Sequence, residues 1–187
     1  QKAGLDPEQP PKTWQDVEAD AKKIVGSGAA KCGFTTGGIS WVQLENLSAW
    51  HNKPIGTKQN GIGGLDAELT FNGELQVRHW TNLKKWQDEG LFQYGGPAGG
   101  NDAPPKFYSQ ECAIYMNSSA SRAAVIGNAK DFKVGFGMLP YYSDVQGAPQ
   151  NSIIGGATLW VLKGHSDAEY KGVANFFSFL SSPEVQA

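Results

Sequence analysis

The residues best suited to ligand chemistry form a serine-rich turn between an apolar run and an alanine-rich segment. The apolar run covers residues 113–116, and Asn117, Ser118, Ser119 and Ser121 follow it. These side chains are typical of helix N-caps, so the pattern predicts a buried strand that feeds a helix. A helix N-terminus offers backbone N–H groups beside the hydroxyls, and its dipole favours negative charge. The turn therefore predicts an anion site, although one capping serine would also explain it.

Two other patterns could contact a ligand. Trp41 follows a glycine loop and opens a predicted helix, so its ring could line a cleft or pack in the core as a hydrophobic staple. Gly155 and Gly156 directly precede an apolar run. Without side chains there, a ligand could approach the backbone N–H groups, whereas a bulge or turn would explain the glycines equally well.

Motifs for catalysis are scarce in this sequence. It contains no Gly-x-Ser-x-Gly elbow, no Walker loop, no His-Glu-x-x-His and no Cys-x-x-Cys. His51, His79 and His165 lie far apart without a carboxylate at ligand spacing, and we interpret them as surface or hydrogen-bonded histidines. The sequence therefore favours a binding protein that uses no metal or cofactor.

Composition narrows the class of protein further. The chain has 187 residues, 40% of them hydrophobic, and a formal net charge of −2. This length and apolar content predict a real core, and the near-balanced charge argues against nucleic-acid or membrane-surface partners. Cys32 and Cys112 each lie at the start of a predicted strand, so they could pair in an oxidising compartment or remain two buried thiols.

The elements that must position these residues alternate between helix and strand, which predicts an α/β architecture. Expected strands cover residues 32–36, 113–116, 133–139 and 158–162. Expected helices cover residues 14–25, 41–51, 74–89 and 166–180, with a short helix near 105–108 and another from the serine turn to about 129. Ser182 and Pro183 have the pattern of one more helix start, so we interpret the chain as a segment of a longer protein.

Helix signals support two of these predictions. Thr13 with Asp16, and Ser166 with Glu169, have the spacing of capping boxes. For residues 74–89 we expect Asn72 to cap the helix. The residues expected on its inner side are Val77, Trp80, Leu83 and Trp86.

Several segments resemble the solute-binding proteins of ABC importers, in the group that includes the maltodextrin- and glycerol phosphate-binding proteins. The most specific are residues 41–50, which read Trp-Val-Gln-Leu-Glu-Asn-Leu-Ser-Ala-Trp, and residues 106–113 and 148–161. Residues 2–14 are similar to the segment after the family's first hinge crossing. The similarity runs along essentially the whole chain but covers only the middle part of the family's length.

The resemblance implies a lobe of the periplasmic-binding-protein type, excised from a two-lobe protein. Such a lobe has three layers, with helices on both faces of a mixed sheet. Residues 1–137 would form the main part of the C-terminal lobe. Residues 138–187 would contain a hinge crossing plus a strand and a helix that belong partly to the other lobe.

The resemblance also implies a function: capture of sn-glycerol 3-phosphate or a glycerophosphodiester in the periplasm, or outside a Gram-positive cell, and delivery to an ABC permease. Ser118, with Ser119 beside it, would donate a hydroxyl, Trp41 would form an aromatic wall and Gly156 a backbone contact. The family pattern has an aromatic residue where this chain has Gly38, which leaves open how the group beyond the phosphate is held.

Three other interpretations remain open. The same aromatic wall could stack on an oligosaccharide in a sugar-binding protein of this family. A secreted glycerophosphodiester hydrolase would need a metal cluster or a nucleophile with its base, and a protein-interaction domain would need clustered surface tryptophans. We also expect the fragment to self-associate through apolar surface in residues 138–187.

Overall fold

The structure is a computed structural model that describes residues 1–96 and 102–186. The chain divides into two compact units, residues 1–154 and residues 155–187, which we call the first and second units. Within the described ranges, no helix is long and apolar enough to cross a bilayer. The expected division into lobe residues 1–137 and hinge residues 138–187 remains a proposal.

The first unit holds three strands and most of the helices. In chain order, its elements are α1 (Trp14–Gly26), β1 (Cys32–Thr36), a π-helix (Trp41–Asn46), α2 (Leu47–Trp50), α3 (Thr57–Asn60), α4 (Glu74–Asp88), β2 (Phe92–Tyr94), α5 (Ala103–Tyr108), β3 (Cys112–Met116), a 3₁₀ helix (Ser119–Ser121) and α6 (Arg122–Asn128). The second unit contains α7 (Asp167–Leu180) and α8 (Pro183–Gln186).

The three strands form a parallel sheet in the order β2-β1-β3. Phe34 at the centre of β1 pairs with Phe92 of β2 on one side and with Ile114 of β3 on the other. The α/β fold class is confirmed, and the antiparallel component of the expected mixed sheet is not seen among the described residues.

Helices cover both faces of this sheet. On one face, Phe34 packs against Trp14 of α1 and Trp86 of α4, with ring centroids 6.1 Å and 5.7 Å away. On the other face, Phe107 of α5 stacks on Tyr115 of β3 at 5.8 Å. These aromatic contacts pack the helices against both faces of the sheet.

A disulfide joins Cys32 of β1 to Cys112 of β3. The two residues are direct partners in the parallel register, with Cα atoms 4.6 Å apart, and both are fully buried. Of the two alternatives that the sequence left open, the structure has the paired cysteines. Such bonds persist in oxidising compartments.

Both capping boxes are confirmed, at Thr13 with Asp16 on α1 and at Ser166 with Glu169 on α7. The prediction for α4 was wrong in two respects. Gly73, not Asn72, is its N-cap residue. Val77 and Trp80 are 54% and 37% exposed, because the buried side of α4 also carries polar residues with buried partners. The buried residues of α4 are Leu75, Gln76, His79, Leu83 and Trp86.

The strands expected at residues 133–139 and 158–162 are not formed, and β2 was missed. An alternating or apolar run becomes a strand only when a neighbour completes its backbone hydrogen bonds. Within the described residues, neither run has such a neighbour, and Trp160 is 84% exposed. β2 is only three residues long, and its pairing with β1 defines it.

Candidate functional site

The ends of β1 and β3 lie side by side and present their loops at one edge of the sheet. Thr36 pairs with Met116, and the amide of Gly37 donates to the carbonyl of Met116 at 3.0 Å. We call residues 37–41 and 117–121, which follow these strands, the carboxyl edge. In open α/β sheets, ligands bind in the crevice outside the carboxyl ends of the strands.

Ser118 caps the turn after β3. Its Oγ atom accepts a hydrogen bond from the amide of Ala120 at 3.1 Å. A hydroxyl can accept twice and donate once, and no acceptor for this O–H proton is found among the described residues. Ser118 is half-buried and Ser119 is exposed. The turn can therefore offer a hydroxyl proton to a ligand oxygen.

Fewer backbone N–H groups of this turn are free to bind an anion than the sequence predicted. The amide of Ser118 donates to Oδ1 of Asn117 at 2.7 Å, and the amide of Ser121 donates to the carbonyl of Ser118 at 3.0 Å. The expected helix begins as a three-residue 3₁₀ turn and continues as the seven-residue α6. The amides of Ser118, Ala120 and Ser121 are therefore paired within the turn, which leaves fewer free N–H groups for an anion than the sequence predicted.

Arg122 is a cationic residue that the sequence reasoning missed. It follows the 3₁₀ turn directly, four positions after Ser118, and its side chain is exposed. Its guanidinium lies 5.3 Å from the ring centroid of Phe136. The signal available in the sequence was an arginine one turn beyond the serines. A cation here favours a negatively charged ligand.

Trp41 begins the π-helix that follows β1. The turn before it is closed by the amide of Val42, which donates to the carbonyl of Gly38 at 2.8 Å. Gly38 has φ +50°, in the left-handed region that side chains disfavour, so the aromatic residue of the family pattern would be strained in this conformation. Trp41 is half-buried: it packs against the hydrophobic core, and part of the residue remains exposed.

Asn46 at the other end of the π-helix makes two buried contacts. Its Nδ2 atom donates to the carbonyl of Trp41 at 3.0 Å, and its Oδ1 atom accepts from the amide of Ile153 at 3.1 Å. One side chain thus holds the first residue of the π-helix and the segment at residue 153. Isolated π-helical turns are frequent at functional sites.

The two histidines of the first unit are buried and hydrogen-bonded. Nε2 of His79 lies 2.9 Å from Oε1 of Gln43, and its Nδ1 lies 3.0 Å from the hydroxyl of Tyr142. His51 accepts from the amide of Tyr142 at 2.8 Å. Burial lowers the pKa of His79 to about 3 and lowers the pKa of His51 as well. Both rings are neutral at neutral pH, as expected for structural histidines.

Four of the five expected ligand residues lie on the carboxyl edge: Gly38, Trp41, Ser118 and Ser119. Gly156 belongs to the second unit. It is exposed, and a Cβ atom placed on it would meet no atom within 4 Å, so its backbone can be approached closely. No cluster of three potential metal ligands occurs in the described part of the chain.

Comparisons with known proteins all find solute-binding proteins. The family model for bacterial extracellular solute-binding proteins matches residues 1–187. The chain is 48% identical over 186 residues to the sn-glycerol-3-phosphate-binding periplasmic protein UgpB of Yersinia pestis, covering 100% of this chain and 42% of that protein. It is 50% identical over 186 residues to UgpB of Pectobacterium atrosepticum, with 100% and 41% covered. It is 48% identical over 186 residues to UgpB of Escherichia coli K12, covering 100% of this chain and 42% of that protein. The chain spans about two-fifths of the length of these curated relatives.

Proposed function

The chain belongs to the family of bacterial extracellular solute-binding proteins, and from this premise we propose that its full-length protein captures sn-glycerol 3-phosphate or a glycerophosphodiester and delivers it to the permease of an ABC importer. The full-length protein is the longer chain to which these residues belong. The residues span about two-fifths of the length of the relatives. The observation that carries the proposal is 48–50% identity along the whole chain to relatives named for this ligand.

The carboxyl edge offers chemistry suited to both ends of such a ligand. The O–H proton of Ser118 would donate to a phosphate oxygen, with Ser119 beside it and Arg122 supplying positive charge. The ring of Trp41 would pack on the glycerol portion, or on a quaternary amine through a cation–π contact. The backbone of Gly156 would also contact the ligand in the full-length protein.

Ligand capture in this proposal requires both lobes. Residues 1–137 would form the main part of one lobe, and residues 138–187 would include a hinge crossing and parts of the other, so that hinge closure encloses the ligand. The isolated fragment would then bind weakly or not at all, because half a cleft neither desolvates the ligand nor completes its contacts.

The periplasm is the proposed location, or the outside of the cell in a Gram-positive source. The relatives are named as periplasmic proteins. The Cys32–Cys112 disulfide is compatible with that oxidising compartment. We propose a binding protein rather than an enzyme, since the relatives are named for binding sn-glycerol 3-phosphate.

A competition experiment separates this function from the sugar-binding alternative. Full-length protein would be titrated calorimetrically with sn-glycerol 3-phosphate, glycerophosphocholine and maltotriose, with and without excess inorganic phosphate. We expect the phosphate-bearing ligands to bind and inorganic phosphate to weaken them. Binding of maltotriose alone, unaffected by phosphate, would overturn the proposal. Free choline released from glycerophosphocholine would reveal a hydrolase.

The expected self-association of the fragment stays a prediction. Apolar side chains are exposed in the second unit, for example Leu159 at 65% and Phe179 at 60%. Light scattering of this fragment at micromolar concentration would test it, and a monomeric mass would contradict it.

A further inference from the structure

One buried amide contacts the last residues of two neighbouring strands, β1 and β3. Gln43, two positions after Trp41 on the π-helix, is 1% exposed. Its Nε2 atom donates to Oγ1 of Thr36 at 3.0 Å and lies 3.6 Å from Sδ of Met116. Thr36 ends β1 and Met116 ends β3, so this side chain ties the helix that carries Trp41 to the strand ends from which the carboxyl edge begins.

One orientation of the Gln43 amide gives each of its partners a complementary hydrogen bond. Thr36 donates its hydroxyl proton to the carbonyl of Gly37 at 3.1 Å and accepts from the NH₂ group of Gln43 at 3.0 Å. The carbonyl oxygen of Gln43 therefore faces Nε2 of His79, which donates to it at 2.9 Å.

The same direction continues on the far side of the imidazole ring. Neutral His79 that donates through Nε2 must accept through Nδ1, and the hydroxyl of Tyr142 supplies that proton at 3.0 Å. Nδ2 of Asn82 in turn donates to the Tyr142 oxygen at 3.0 Å. The result is a continuous chain of hydrogen bonds with a single direction, from α4 through the π-helix to the end of β1.

We propose that Gln43 is a positioning residue for ligand binding, which holds the π-helix against the ends of β1 and β3 and thereby orients Trp41 at the carboxyl edge. The affinity part of this inference rests on the proposed function; the orientation part does not. A methionine of similar size could fill the same space without needing polar partners. Fully paired buried networks, in contrast, fix one arrangement of the groups that they join.

Gln76 provides a matched control. It is also a buried glutamine of the first unit, 3% exposed, and donates to Oγ of Ser48 at 3.1 Å. Its partners are Ser48 of α2, the helix that follows the π-helix, and the carbonyl of Pro54. Gln76→Met therefore removes a comparable buried amide but leaves the contacts of Gln43 with Thr36, Met116 and His79 in place.

The test uses full-length protein labelled with fluorotryptophan, in which Trp41→Phe assigns the Trp41 fluorine resonance. We expect Gln43→Met to shift or broaden that resonance and to weaken sn-glycerol 3-phosphate binding about ten-fold, as the loss of a positioning contact predicts. Gln76→Met should leave both unchanged. An unmoved Trp41 resonance in folded Gln43→Met protein would overturn the inference.

A second pair of variants decides the question if Gln43→Met does not fold. Thr36→Val removes the hydroxyl that accepts from Gln43 while keeping the side-chain shape, whereas Thr36→Ser retains it. We expect only Thr36→Val to move the Trp41 resonance and weaken binding; equal spectra for both variants would reject the role of Gln43. If the parent binds no glycerol 3-phosphate, the proposed function fails. The fluorine spectra still test whether Gln43 orients Trp41.

Discussion

A Cβ atom placed on Gly37 would lie 2.7 Å from Nδ2 of Asn117 and 3.2 Å from the hydroxyl of Tyr115. The two loops that leave the ends of β1 and β3 are therefore in direct contact. An alanine at position 37 would displace the Asn117 side chain, which hydrogen-bonds to the Tyr115 hydroxyl and to the amide of Ser118.

Gly37→Ala should destabilise the protein by about 1–3 kcal/mol, because the added methyl group pushes on Asn117 and Tyr115. Denaturant unfolding measures the loss. Gly127→Ala is the control: it lies within α6, its Cβ would meet no atom within 4 Å, and alanine there should stabilise by about 0.5–1 kcal/mol. Equal stabilities of the two variants would contradict the contact described here.

Reduction of the disulfide should lower the free energy of unfolding by about 2–5 kcal/mol, because Cys32 and Cys112 close a loop with a sequence separation of 80 in the unfolded chain. The measurement is urea unfolding with and without reductant. The Cys32→Ala/Cys112→Ala double variant should show no effect of reductant. Two alkylatable thiols in unreduced, denatured parent protein would contradict the pairing.

Acid should destabilise the protein through His79. Its folded pKa, about 3, lies below its ordinary value of 6.5 because the ring is buried near His51 and Arg78. In the unfolded chain the ring takes up a proton more readily than in the folded protein. The contribution of His79 to the free energy of unfolding is therefore complete above pH 6.5 and is lost as the pH falls toward 3. From this group alone, stability should fall by roughly 1 kcal/mol per pH unit between pH 6.5 and about 5, and the slope should approach about 1.4 kcal/mol per pH unit near pH 5. The lowered pKa of His51 adds to the same trend.

Chemical denaturation at several pH values measures this slope. The carboxylates of Asp16 and Glu18, whose pKa values are lowered by hydrogen bonds to Thr13 and Lys22, lose their contribution only as the pH falls below about 4.5. A flat profile from pH 6.5 to about 5 would show that His79 is not buried in its neutral form.

Arg122→Gln should weaken binding of sn-glycerol 3-phosphate by full-length protein about two- to five-fold, and added salt should shrink the difference, since an exposed cation acts through screened charge. Lys130→Gln, which removes an exposed cation beyond α6, is the matched control and should have a smaller effect. If the Arg122 variant and the parent bind with the same affinity at low salt, Arg122 does not contribute to ligand binding.

Elements with their own local signals could be predicted from the sequence. α1 and α7 carry complete capping boxes, and β1 and β3 are apolar runs with clear breaks. The runs at 133–139 and 158–162 have similar local patterns, but a strand also needs a partner, which no local pattern supplies.

The buried side of α4 shows the same limit. Apolar spacing selected Val77 and Trp80, whereas His79 is buried because Gln43 and Tyr142, 36 and 63 residues away, satisfy its ring. The candidate residues Trp41 and Ser118 could be named from local pattern and family resemblance. Gln43 could not, since its role depends on where two strands end in space.

The central claim is that Ser118 and Trp41 contact a phosphate-bearing ligand in the full-length protein. The most direct measurement is calorimetric titration with sn-glycerol 3-phosphate of the parent, Ser118→Ala and Trp41→Ala, with Ser109→Ala as a control outside the carboxyl edge. We expect micromolar or tighter binding by the parent and the control, and about ten-fold or greater weakening by each of the other two variants. Binding that neither variant weakens, or no binding by folded parent protein, would contradict the account.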